Sequence, residues 1–176
     1  MEIQNKKKQR LIVLTLIVLA GLAIFGLVSI SDKAKNEQLN GLSDEMKEAY
    51  KNDKDGGKTP EQTFDMFLQA LRSGDTDLAS KYFAIDKQEQ WKKSFQTAKD
   101  ANVLSQLIEE YEQYRKDWEK VETKDDSTAQ YDYFVIIEED TTINIDSNSY
   151  NLLAGKYKNS INFIKNINDI WKIYVM

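Results

Sequence analysis

Neither cysteine nor histidine occurs anywhere in the 176 residues, and each absence removes a class of chemistry. Without cysteine there is no thiol nucleophile, no disulfide and no attachment point for a lipoprotein's lipid. Without histidine as well, neither a Cys/His zinc site nor a Ser-His-Asp or Cys-His catalytic arrangement can be built. Acidic residues outnumber basic ones beyond the N-terminus. The first ten residues hold four basic side chains and one acidic one, so a net charge of −5 for the whole chain leaves −8 on the rest. An acidic body repels phosphate backbones, which argues against a nucleic-acid partner. Proline occurs once, at position 60.

One long apolar run is present. Leu11 to Ile30 is twenty residues without a charge, about 30 Å of helix and so the thickness of a bilayer's hydrocarbon core. Lys6, Lys7, Lys8 and Arg10 precede it, whereas Lys33 and Lys35 follow beside Asp32 and Glu37. The positive-inside rule then expects residues 1–10 to be a cytoplasmic basic head, 11–30 a transmembrane helix in the lipid bilayer, and the remainder to lie outside the cytoplasm. The competing reading is a cleaved signal peptide. Its apolar core would be shorter, and Ser29-Ile30-Ser31 is a weak cleavage site. Gly21 and Gly26 do not form a GxxxG pair, so no helix-dimer face is expected.

Residues 31–58 are polar and charged, a composition expected to make a flexible tether, with at most a turn or two of helix in "LSDEMKEAY". A folded domain is expected over 59–176, because 17 of the 19 aromatic residues lie from Phe64 onward. Thr59, Pro60 and Gln62 form a helix-opening capping box, and Phe64, Phe67, Leu68 and Leu71 follow on one face. Ser73-Gly74 ends that helix. Asp75 caps a second, with Leu78, Ala79, Tyr82 and Phe83 aligned. Asp86 caps a third, with Trp91, Phe95 and Ala98. A fourth is expected from about Asn102 to Trp118, its wet face carrying Glu109, Glu110 and Glu112, the last within reach of Lys116. The period then falls to two. "WEKVETK", "AQYDYFVIIEE" and "TTINI" read as strands, and "SINFIKN" with "IWKIYVM" as a closing hairpin. In the second of these, Tyr131, Tyr133, Val135 and Ile137 share one face and Phe134 and Ile136 the other, and apolar groups on both faces predict that the strand lies centrally. Helices followed by antiparallel strands predict an α+β domain of about four helices on one side of a sheet.

"TPEQTFDMFLQALRSGDTDLASKYF" resembles the opening helices of the nuclear-transport-factor-two-like, or cystatin-like cone, superfamily. "SINFIKNINDIWKIYVM" resembles the closing hairpin of such domains, whose last strand often carries a Trp followed by alternating apolar residues. The resemblance covers about 59–98 and 129–176 and is nearest to bacterial envelope domains behind a membrane or lipid anchor. It implies a curved antiparallel sheet covered by helices, a cone whose interior is a core in some members and a pocket in others. The fourth helix is longer than in many members. Ketosteroid isomerase has this shape, but no residue here maps onto its motif.

Candidate chemistry is thin. Tyr131 and Tyr133 should face away from Asp132 and so cannot act with it. Glu138, Glu139, Asp140 and Asp146 gather oxygen ligands but lack the spacing and glycine of a calcium loop, which leaves a solvated strand end. Trp91, Tyr111, Tyr133 and Trp171, together with Trp118, would line a ligand pocket if the space under the helices were open; packing is the commoner role for such rings. No catalytic set, cofactor or metal site is expected. The chain reads as a membrane-held, non-enzymatic interaction module, with an envelope protein as its expected class of partner. The alternative is a small-molecule-binding, hydrolase-like or isomerase-like cone.

Overall fold

A computed structural model of the protein describes residues 44–123, 126–145 and 148–176. The basic head, the apolar run Leu11–Ile30 and the first part of the expected tether lie outside these residues, as does Asp146. Among the described residues no helix is long and apolar enough to cross a membrane.

The chain runs α1 (Asp44–Asn52), α2 (Pro60–Arg72), α3 (Thr76–Lys81), α4 (Ile85–Asp100) and α5 (Leu104–Lys116), then β1 (Glu119–Val121), β2 (Thr128–Ile137), β3 (Thr141–Ile145), β4 (Asn148–Leu152), β5 (Gly155–Lys165) and β6 (Trp171–Val175). It is an α+β domain with helices packed on a four-stranded antiparallel sheet of order β1-β2-β5-β6.

Local signals account for most helix boundaries. Thr59 Oγ accepts the Gln62 N–H at 3.1 Å, and Pro60 begins α2. The Gln62 side chain reaches back to the N–H of Lys58 at 2.7 Å, one residue further out than a capping box would place it. Gly74, at φ 74°, supplies the left-handed residue after α2. Asp75 caps α3 by accepting the Leu78 N–H at 2.9 Å. The expected cap at Asp86 is not made. Helix α4 starts one residue earlier, at Ile85, without a side-chain cap. Its entry is fixed instead by the sheet, because Ala84 N–H donates to the Ile173 carbonyl at 2.8 Å. The fourth expected helix is shorter than its periodicity suggests. Asn102 adopts φ 56° before it. After it Trp118 leaves the helix to lie on the sheet, 4.8 Å from the Phe64 ring and 4.6 Å from that of Tyr131.

The expected tether is structured from Asp44 on, which corrects its boundary. Helix α1 occupies Asp44–Asn52, and the next residues run along the β6 edge, where Gly57 bridges Trp171. A Cβ on Gly56 would stand 2.4 Å from the Trp171 carbonyl oxygen, so the close approach demands glycine. Residues 82–84 complete the cover: Ile173 N–H donates to Tyr82 O at 2.9 Å. The β6 edge is thus closed to further pairing.

Strands β2 and β5 pair along the whole of β2, from Thr128↔Ile164 to Ile137↔Gly155. Pairing resumes at Thr141↔Leu152 between β3 and β4. The four strands are therefore one long ribbon with a break, three residues (Glu138, Glu139, Asp140) opposing two (Leu153, Ala154), an imbalance of the kind that makes a bulge. Asp140 Oδ1 spans the break by accepting the Ala154 N–H at 2.7 Å. Ile143 of β3 is fully buried and Leu152 packs on the core.

Tyr131, Tyr133, Val135 and Ile137 are buried on the helix side of β2, as their alternation predicts. Strand β2 lies inside the sheet, between β1 and β5, as apolar groups on both its faces predict, though its opposite face is the less covered one. There Asp132 is covered by its neighbours, Phe134 is half-buried with Lys156 over its ring, and Ile136 stands open.

Candidate functional site

The four candidate pocket residues are all buried. Trp91 of α4 stacks on Phe83 at 4.5 Å and on Phe95 at 5.3 Å. Tyr111 of α5 touches Phe67 at 5.8 Å, and Phe67 in turn meets Phe64, Phe83 and Phe95. Tyr133 stacks on Tyr114 at 4.7 Å. Trp171 lies at the β6 edge, with Lys165 Nζ 5.2 Å from its ring. Phe67 is the hub that joins Trp91 and Tyr111 into one set of rings, while Trp171 stands apart from it. Phenols inside this set are held protonated. Burial pushes Tyr111, Tyr114 and Tyr133 above the usual tyrosine range, and the Glu110 carboxylate adds to the shift at Tyr114. Tyr133 accepts a 3.0 Å bond from the Asn159 amide. The Tyr111 hydroxyl is buried without a hydrogen-bond partner.

A carboxylate–phenol pair that periodicity did not reveal joins α2 to β2. The Tyr131 hydroxyl donates to Glu61 Oε1. Arg115 of α5 lies 4.6 Å over the Trp118 ring and reaches Asp65 at 3.4 Å. Burial raises the Glu61 carboxyl, but bonds from Tyr131, the helix backbone and Thr59, with Arg115 nearby, outweigh it and leave the group below its ordinary value. Tyr131 moves up, first through burial and then through Glu61. The pair therefore holds a stable anion and a neutral phenol near neutral pH, a poor set for proton transfer. Its visible work is to fix the first turn of α2 on the sheet. The sequence signal was only an acidic residue in a first helical turn, whose partner lies 70 positions away.

Asp132 faces away from the two tyrosines, as expected. Lys158 Nζ lies 2.5 Å from its carboxylate, and Ser160 donates at 2.6 Å and Gln130 at 2.9 Å. Burial raises its carboxyl and these bonds lower it further, for a net fall. Glu112 does not pair with Lys116. Arg72 of α2 reaches it at 2.6 Å, because α2 and α5 lie side by side. Glu138, Glu139 and Asp140 are exposed at the ribbon break. Among the described residues no three acidic side chains come together as metal ligands would.

The most developed polar constellation is at the opposite end of the sheet. Lys172 of β6 is 1% exposed. Its ammonium donates to Asp53 Oδ1 at 2.7 Å, to the Asp55 carbonyl at 2.7 Å and to the Lys81 carbonyl. Asn166 donates to the Asp53 carboxylate at 3.3 Å, and Asn168 donates to the carbonyls of Tyr50 (3.2 Å), Lys51 (3.2 Å) and Asp53 (2.8 Å). The β5–β6 turn thereby caps the C-terminus of α1, where free carbonyls need donors. Burial pulls the Lys172 ammonium below the usual lysine value, and Asp53 offsets part of that shift.

Comparison with protein-family models, with curated proteins and with solved structures finds no match for the chain.

Proposed function

We propose that this chain is a single-pass membrane protein holding a non-enzymatic interaction domain outside the cytoplasm. The apolar run Leu11–Ile30 and the cations bunched before it support the anchor and its direction. The order of helices and closing hairpin supports a cone of the nuclear-transport-factor-two-like kind. The observation that carries the non-enzymatic reading is the ring set centred on Phe67. Its rings pack against one another under the helices, the region where a cone enzyme would need a cavity holding a carboxylate of raised pKa. Two carboxylates packed at the sheet, Glu61 and Asp132, are shifted the other way.

Protease added to intact cells tests the arrangement. The domain should be digested from outside, and digestion only after the membrane is opened to the cytoplasm would overturn it. One observation favours the second reading, a small-molecule-binding cone: the unpartnered Tyr111 hydroxyl in the interior. A small apolar phenol-binding or ketone ligand that raised Tm in the native chain but not in Tyr111→Phe would support that alternative over the first.

A further inference from the structure

We propose that Lys172 and Asp53 react with each other and close an isopeptide bond between the last strand and the segment that leads into the domain. This goes beyond the reading of the domain as an interaction module and does not depend on it. Lys172 Nζ lies 2.7 Å from Asp53 Oδ1, and the two side chains are 1% and 6% exposed. The surroundings aim the amine. An ammonium has three donors, and here they go to Asp53 Oδ1, the Asp55 carbonyl and the Lys81 carbonyl. Moving the Asp53-directed proton onto Oδ1 leaves a neutral amine. Its two remaining N–H groups stay on the two carbonyls, so its lone pair points toward the carboxyl group it is to attack. Burial favours the neutral amine, against the opposing pull of Asp53.

The other carboxyl oxygen has its own donor. Asn166 Nδ2 donates to Asp53 Oδ2 at 3.3 Å and to the Asp53 carbonyl at 3.2 Å. It is placed to hold the negative charge that gathers on Oδ2 as Nζ adds to Cγ. Asn166 is itself fixed, because its Oδ1 accepts the N–H of Asn168 at 2.9 Å and that of Ile170 at 3.1 Å. The step balances with nothing added. A bond forms from Nζ to Cγ and the bond from Cγ to Oδ1 breaks. Oδ1 leaves as water, carrying the proton it took first and a second one from Nζ. Nothing is oxidised or reduced, and the amide keeps one N–H for a neighbouring carbonyl. Such a condensation is unfavourable between free solutes in water, but reactants held in place reach effective molarities of about 10⁵–10⁸ M. The same cover keeps water from the finished amide.

Placement gives the bond a use. Positions 53 and 172 are 119 apart, so the bond encloses α2–α5 and β1–β5 in one loop. A loop of that size limits the freedom of the unfolded chain. It also carries a pull on the chain before Asp53 straight into β6. A disulfide could do the same, but the chain has no cysteine.

The test is the mass of the full chain, purified from cells and denatured. The native chain should weigh about 18 Da less than its sequence and N-terminus give, one water lost. Trypsin should then spare Lys172 and release residues 52–54 joined to residues 166–176. Lys172→Arg keeps the cation but has no amine to acylate, and Asp53→Ala removes the carboxyl. Both should show their full sequence mass, whether or not they fold. A native chain that unfolds cooperatively yet has its full mass overturns the proposal. So does a loss of water that persists in Lys172→Arg, which would belong to a succinimide at Asp55-Gly56 instead. A digest that joins Lys172 to Asp55 overturns the choice of acceptor. The membrane arrangement is read separately, in the protease experiment.

Discussion

The two ends of strand β5 are built on opposite rules. At the β5–β6 turn, a lysine, an aspartate and an asparagine are drawn inside and every donor of Lys172 finds an acceptor. At the ribbon break, isoleucine, leucine and tyrosine are left in water. The first end spends polar groups to fix one geometry for the segment that leads in from the N-terminus. A buried ion pair adds little net stability over an apolar replacement, but removing one member leaves the other stranded. The second end withholds apolar surface from the core, at a cost in folding free energy of roughly 25 cal/mol for each Å² left exposed. Polar burial at one end and apolar exposure at the other both place specificity ahead of stability.

The sharpest way to break this contrast is Lys172→Ala. It strands the Asp53 carboxylate and carbonyl acceptors of Asp55 and Lys81, and should cost about 3–5 kcal/mol in denaturant unfolding. Adding Asp53→Asn should recover part of that loss, and a strictly additive double variant would mean that the ion pair is not coupled. The ring set at the middle of the domain sets the next effect, through alkali. Tyr111, Tyr114, Tyr131 and Tyr133 all ionise later in the folded chain than unfolded. Their contribution is complete below the ordinary tyrosine value near 10 and is lost as pH climbs through the raised folded values. The phenolate absorbance of these four should appear only as the chain unfolds, and complete phenolate absorbance before unfolding would contradict the burial.

Smaller effects separate neighbouring hydroxyls. Tyr133→Phe gives up the Asn159 bond and should destabilise by about 1 kcal/mol, whereas Tyr111→Phe removes an unpartnered buried hydroxyl and should be neutral or stabilising. Equal losses in the two would show that Tyr111 has a partner, such as an internal water. Acid should act more gently still. Glu61 and Asp132 have lowered values, so the stability they lend is present above about pH 4 and fades as pH falls through their folded values. Asp132→Asn should flatten that limb of the curve. Least of all, Leu153→Ser at the break should change stability by no more than about 0.5 kcal/mol, since its side chain already meets water. A large loss there would mean that the apolar residues of the break are core after all.

Helix starts and stops were legible wherever a short side chain or a glycine does the work locally, as at Thr59, Gly74 and Asp75. The start of α4 was not, because its fixing bond comes from Ile173, almost ninety positions on. The strands with an apolar face, β2 and β6, showed their period. Strand β4, "NSYNL", and the first half of β5, "GKYKN", carry mostly polar residues that bury little, so alternation left no mark. The aromatic residues singled out as pocket lining are inside, yet their spacing held no information on whether they surround a space or fill it. The pairing of Tyr131 with Glu61 and of Lys172 with Asp53 joins distant elements and left only single charged letters in the chain.

The sequence by itself determined the exclusions and the periodicities: no thiol or imidazole chemistry, an uncharged run near the N-terminus, helices first and antiparallel strands after. Composition and spacing suffice for these because absent atoms cannot react and because helical and strand repeats project side chains at fixed intervals. Tertiary structure alone decided which side of β2 is covered, that the chain from Asp53 onward is clamped to β6, and that the apolar residues of the ribbon break stay in water. Those outcomes depend on which surfaces meet across dozens of residues, and a residue carries no local record of the neighbour that will cover it.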